Sequence, residues 1–233
     1  MSELLSFVQM VKIKISEELT TDPWDIEEQR ITRFIMDAVI RYNKIKPKSL
    51  VYDFTGDGVV YEFGLPASWS EGYSSIVAVE YPVGQQVPSY MQPSEYALYQ
   101  GTAEKKFRLL ETVPGSGDAV RVTFTAPFRI TADASDIPEQ DEVAIADLAA
   151  SMCFKELAAK YARTQRSTLE GEVLNYLTKV DYYIRLAQQY EANFNAHFGI
   201  ATDGSPPGAC EIGDWDQTYE WGEPFIVHRP EWR

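Results

Sequence analysis

Residues that could do chemistry are few, and their spacing does not suit it. The chain has two histidines, His197 and His228, and two cysteines, Cys153 and Cys210. A zinc site needs His or Cys ligands at short repeated intervals, and neither histidine has such a neighbour in the sequence. There is no glycine-rich phosphate loop, no Gly-x-Ser-x-Gly elbow and no cysteine–histidine pairing. Carboxylates are plentiful: Asp53, Asp57, Glu62, Glu80, Asp136, Glu139 and Asp141. Two of them facing each other could cleave a glycosidic bond. In a chain of net charge −14 they read first as solvated surface. Asp133, Asp136 and Asp141 lack the spacing of a calcium loop. Trp69, Tyr73, Tyr81 and Tyr90 could stack on sugar rings. Aromatics alternating along strands serve more often as core and cross-strand pairs. The expectation is no catalytic residue, no metal and no cofactor.

Charge narrows the partners. A net charge of −14 over 233 residues disfavours binding to nucleic acid phosphates, which needs clustered Lys and Arg. It equally disfavours an anionic membrane surface. Lys44, Lys46 and Lys48 form a local basic cluster, read as favourable charge at a helix C-terminus rather than as a phosphate site. Cys153 falls within an apolar helix, as a small core residue does. No disulfide framework is apparent, which fits a reducing compartment. The N-terminal stretch reads as a helix rather than a signal peptide, and no apolar run reaches membrane-spanning length.

The elements that would hold any site are clearer. Leu4, Leu5, Val8, Val11 and Ile15 have helical spacing. Asp22-Pro23-Trp24-Asp25 reads as a helix start, leading to a helix that ends near Lys44 and buries Ile31, Phe34, Ile35, Ala38, Val39 and Tyr42. Past Pro47 the period changes to two. Leu50–Phe54 and Val59–Phe63 flank Thr55-Gly56-Asp57-Gly58 and read as a hairpin, with Tyr52 and Phe54 facing Tyr61 and Phe63. Ser74–Tyr81, Lys106–Leu110 and Ala119–Ala126 read as further strands. Pro93–Tyr99 reads as one helical turn.

The stretch from Asp141 to Gly199 reads as a long helical hairpin. Its first helix, to about Arg163, is rich in alanine and apolar nearly all round. Its second opens on a Ser167–Glu170 capping box. Val173, Leu177, Val180, Ile184 and Ala187 then form a heptad seam, continued by Tyr190, Phe194 and Phe198 and capped by Gly199. The fold class expected is α+β: a helical bundle (1–46 and 139–199), an inserted antiparallel β module (49–127) and an extended tail (200–233). The alanine helix reads as needing more neighbours than one chain supplies, which makes Ala146, Ala150, Val173, Leu177 and Val180 candidate contacts of a ring. The tail is rich in Gly, Pro and acid, yet carries Trp215, Tyr219, Trp221, Phe225 and Trp232, candidate anchors for a partner.

With these pieces in place, the chain resembles the head-to-tail adaptor (connector) proteins of tailed bacteriophages. The residues that carry this are Tyr61-Glu62-Phe63 with Leu65-Pro66 and Trp69; Ile76 to Pro82; Val120 to Pro127; and Ile137-Pro138 leading into Asp147–Ala162. Leu157-Ala158-Ala159-Lys160-Tyr161-Ala162 is the densest match. The resemblance covers roughly 25 to 198. It implies a structural virion protein of the head–tail neck, made in the host cytoplasm, with no enzymatic activity. It implies a homo-oligomeric ring, twelvefold, docked on the portal protein and offering its far side to a tail or stopper protein. It also implies a C-terminal extension reaching into the portal, with genomic DNA only passing through the channel and no membrane contact. Two other readings remain open at this point: a carbohydrate-binding or glycan-cleaving virion protein built on the β module, and an assembly chaperone absent from the finished particle.

Overall fold

The computed structural model describes residues 3–19, 26–101, 104–164 and 170–200; the side chains of 16–19, 164 and 170–178 lie outside that description. The fold is α+β. In chain order it comprises helices α1 (Glu3–Leu19) and α2 (Glu28–Ile45); strands β1 (Lys48–Thr55), β2 (Glu62–Gly64), β3 (Ile76–Glu80), β4 (Tyr96–Gln100), β5 (Lys105–Leu109) and β6 (Ala119–Ala126); then helices α3 (Glu139–Thr164) and α4 (Glu170–His197).

α3 is the axis of the helical body. Its residues from Ala144 through Ser151 are all buried, because α1, α2 and α4 each pack against it. Alanine at positions 144, 146, 149 and 150 lets those helix backbones approach on several sides at once. One chain therefore surrounds its own alanine helix, contrary to the sequence expectation. The side that seemed bare is covered by α1, through Phe7, Val8, Val11 and Ile15, and by α2, through Ile31, Ile35, Ala38, Val39 and Tyr42. Phe34, expected in the α2 core face, is only half-buried. The Asp22-Pro23 start signal lies outside the described residues, and α2 begins at Glu28.

α4 lays its stripe on α3, with one change from the expected seam. Tyr183 is buried and Ile184 is 40 % exposed. The Tyr183 ring stacks on Phe154 (6.0 Å) and Tyr161 (5.6 Å), and Tyr190 stacks on the other end of Phe154 at 5.5 Å. A flat ring slot on α3 selects the tyrosine over its branched neighbour. Gly199 ends α4 as expected, at φ +64°. The Gly199 amide donates to Ala196 O and the Ile200 amide to Asn195 O, the paired bonds of a Schellman cap. The Ser167–Glu170 capping box falls on residues beyond those described.

The β module differs from the expected hairpin. β1 pairs with β6, in register from Lys48↔Ala126 to Thr55↔Ala119. β3 lies on the other side of β6, giving the order β1-β6-β3. β2 joins the second sheet, β2-β5-β4. Two three-stranded antiparallel sheets thus face each other. Gly56 explains the change. Its amide donates to Asp118 O, its carbonyl accepts from Gly117 N, and a Cβ at Gly56 would meet Pro114 and Gly115 within 3 Å. The loop after β1 docks on the Pro114–Asp118 turn instead of folding back on β1. The aromatics still meet, but across the sandwich: Phe54 contacts Phe63 at 5.1 Å and Phe107 at 5.6 Å. Pro93–Tyr99 is not a helical turn. The Glu95 amide closes a turn onto Gln92 O, and β4 starts at Tyr96.

Pairing of Lys48 with Ala126 brings the two ends of the module together. Asn43 of α2 then clamps the exit: its side chain donates to Phe128 O (3.0 Å) and accepts from Phe128 N (2.8 Å). The Tyr73 hydroxyl donates to Asn43 O at 2.6 Å, fixing the Trp69–Tyr73 loop to the helices. Trp69 itself packs over Phe124.

Candidate interaction surfaces

Most of the carboxylates picked out from the sequence are already engaged, while Glu139, in the first turn of α3, and Asp133 are exposed. Asp53 accepts two bonds from Arg121, at 2.9 and 3.0 Å, which hold its carboxyl below the usual carboxylate range. Glu80 lies 3.5 Å from the same guanidinium. Asp57 accepts from the amides of Val60 and Val59 and is held low by them. Glu62 faces Arg108 and Lys106, and Asp136 faces Lys48. Among the described residues no group of three His, Cys, Asp or Glu side chains could hold a metal ion. Of the aromatics considered for sugar stacking, Trp69 is in ring contact with Phe124, Tyr73 is tied to Asn43, and the Tyr81 hydroxyl donates to Asp118 at 3.0 Å. Tyr90 is 64 % exposed.

The densest polar node is structural. Asp141, in the first turn of α3, is 2 % exposed. It accepts from the Tyr42 hydroxyl (2.7 Å) and Lys46 Nζ (2.8 Å) at one oxygen and contacts His197 Nε2 (3.0 Å) at the other. Burial pushes its carboxyl up, but the Lys46, His197 and Tyr42 hydrogen bonds outweigh this and leave it below the ordinary range. Burial, with Asp141 beside it, raises the Tyr42 phenol. This one carboxylate joins α2, the start of α3 and the end of α4, so it fixes where the chain leaves the body. A second node, Glu191 with Lys155 (2.6 Å) and Arg41 (2.6 Å), ties the same three helices together farther along α3. Its carboxyl is held low, mainly by Lys155. The basic cluster is thereby divided: Lys46 serves Asp141 and Lys48 serves Asp136. Sequence reasoning missed the Asp141 node because Tyr42 and Lys46 lie 99 and 95 residues from Asp141 and His197 lies 56 from it, so only the packing of α2 and the antiparallel return of α4 bring them together.

The expected ring residues are placed as follows. Ala146 and Ala150 are fully buried inside this chain. A neighbouring copy cannot touch them without opening the bundle. Val180 is half-buried against the same core, and the side chains of Val173 and Leu177 lie outside the described residues. Val143, which shares the Ala146–Ala150 helix face, is 55 % exposed, and Ile40 on α2 is 56 % exposed. Trp215, Tyr219, Trp221, Phe225 and Trp232, the expected portal anchors, all lie outside the described residues. No helix among the described residues is long and apolar enough to cross a membrane.

No protein-family model matches the chain. No curated protein matches it either. Among solved structures, it is similar to a chain in the neck of an empty GTA particle computed with C6 symmetry, at 18 % identity and a TM-score of 0.28, over 60 % of this chain and 74 % of that one. It is also similar to a chain in the neck of a native GTA particle computed with C12 symmetry, at 15 % identity and a TM-score of 0.26, over 76 % of this chain and 89 % of that one.

Proposed function

We propose that the chain is a structural head-to-tail adaptor of a tailed phage or phage-like particle. Copies form a ring that docks on the portal and joins the DNA-filled head to the tail. The observation that carries this reading is where the adaptor-like residues fall. Tyr61–Phe63, Ile76–Pro82 and Val120–Pro127 contribute β2, β3 and β6 to the two facing sheets, and Leu157–Ala162 lies on α3, the axis of the bundle. The resemblance therefore rests on residues that build the fold. The acidic balance supports the same reading: a like-charged wall resists adhesion of passing DNA.

In this reading the ring contact shifts from Ala146 and Ala150 to exposed apolar positions on the helices, with Val143 and Ile40 the leading candidates. The tail, 201–233, supplies the portal contact through Trp215, Tyr219, Trp221, Phe225 and Trp232. Trp215→Ala and Trp221→Ala should each weaken portal binding by about 2 kcal/mol or more, measured by titration. Unchanged affinity in both, or in a chain lacking 201–233, would remove the tail from the interface.

Of the four aromatics considered for the glycan-binding reading, Tyr90 is the one in the exposed class. A glycan array with Tyr90→Ala as control tests it, and a sugar-dependent signal lost in the variant would favour that reading over the adaptor.

A further inference from the structure

The first sheet has two edges, treated differently. Along β3, the segment 89–91 acts as a cover: the Tyr81 amide donates to Ser89 O, the Met91 amide to Val79 O, and Glu80 bridges to Tyr90. Along β1, eight residues pair with β6 on one side, and no backbone partner lies on the other side among the described residues. Such an edge is a template for another strand. The side chains agree. Tyr52 shares the inner face with Phe54, yet it is 44 % exposed, and Val51 on the outer face is 58 % exposed. An inward-facing aromatic left open at a sheet edge marks where one more strand would close the sandwich.

We propose that the β1 edge is the docking site for this chain's own segment Phe225–Arg229, added as a fourth strand. Three observations select that occupant. The first is the exit point. Ile200 follows the Schellman cap, Phe198 packs on Tyr42 (5.5 Å), and Tyr42 packs on Phe128 (5.3 Å), over which lies Lys48, the first residue of β1. The chain thus leaves the helices at the foot of the open edge. The second is composition. Within 201–233 the two longest runs without Gly or Pro, Asp214–Trp221 and Phe225–Arg229, both hold strand-forming residues; Phe-Ile-Val-His-Arg is the one free of the strand-disfavouring Asp and Glu, and Pro224 and Pro230 bracket it. The third is reach. A flexible link of about 23 residues spans on the order of 26 Å, close to the roughly 26 Å rise of an eight-residue strand. Tethering holds the segment at an effective concentration in the millimolar range. The proposal does not depend on the adaptor reading; it assigns Phe225 to the added strand and leaves Trp215, Tyr219, Trp221 and Trp232 as the portal anchors of that reading.

Hydrogen exchange on the intact, partner-free protein tests it. The β1 amides that point away from β6 should be protected, and Ile226→Pro, which removes a strand donor, should speed their exchange roughly tenfold or more. The β6 amides should not change, which shows that the body is still folded. Protection should persist over a roughly tenfold dilution, since the link is intramolecular. Outward β1 amides that exchange equally fast with and without the substitution would overturn the proposal. So would protection that vanishes on dilution, which would assign the edge to a second copy. Portal affinity enters neither result, so failure here leaves the adaptor reading to its own test.

Discussion

At the scale of single residues, buried polar atoms matter more here than any reactive group. Asp141 is itself buried and holds three partners, and removing it strands the fully buried Tyr42 hydroxyl while the half-exposed Lys46 ammonium turns to water. Asp141→Ala should therefore cost roughly 3 kcal/mol of stability by urea unfolding. The pH dependence has a definite sign. The folded-state pKa of Asp141 is depressed, so its contribution is fully present above the unfolded value near ~4 and is lost as pH falls through the lower folded value. Asp141→Asn should flatten that acid limb; an unaltered limb would place the effect elsewhere. Asn43→Ala should cost about 2 kcal/mol, because both backbone groups of Phe128 lose their partner. Cys153 is inert by burial, which pushes its thiol up to about 12. In a Cys210→Ser background, thiol reagents should label Cys153 only on unfolding, and fast labelling of the native protein would show that the bundle opens locally.

At the scale of elements, the question is what α3 is packed against. Its alanine face reads from sequence as a surface awaiting another subunit, and in the structure α1 and α2 of the same chain fill it. Ala150→Leu separates the two readings. Overpacking should lower the stability of the isolated chain by about 1–3 kcal/mol, whereas a pure ring contact would leave the isolated chain unaffected. The helices were largely legible in the sequence because their signal is local. The Ile31, Ile35, Ala38, Val39, Tyr42 stripe and the Gly199 cap can each be read within a few turns. β6 was equally plain, since Val120, Val122 and Phe124 alternate with exposed residues. Strand pairing was not legible. Thr55-Gly56-Asp57-Gly58 has the composition of a hairpin turn, and only the docking of Gly56 on Pro114 and Gly115, some sixty residues away, redirects β2 to the other sheet. The Asp141 node was hidden for the same reason, as its members come from three separate helices.

At the scale of the whole molecule, two features of the sequence bear on partners: a net charge of −14 and a segment, 201–233, that carries three of the five tryptophans. Among the described residues the helical core closes within one chain, so in the adaptor reading the ring contact falls on exposed positions such as Val143 and Ile40 and the portal contact on the tail. Val143→Asp should leave the isolated chain within about 0.5 kcal/mol of the original stability, being exposed, while reducing ring formation on the portal. The most direct test of the adaptor reading is the mass of the purified chain, first alone and then mixed with the portal ring of its own particle. The adaptor reading expects a discrete complex carrying a ring's worth of copies on each portal, lost when residues 201–233 are removed. A chain whose mass is unchanged by the portal at concentrations well above those of assembly would contradict it.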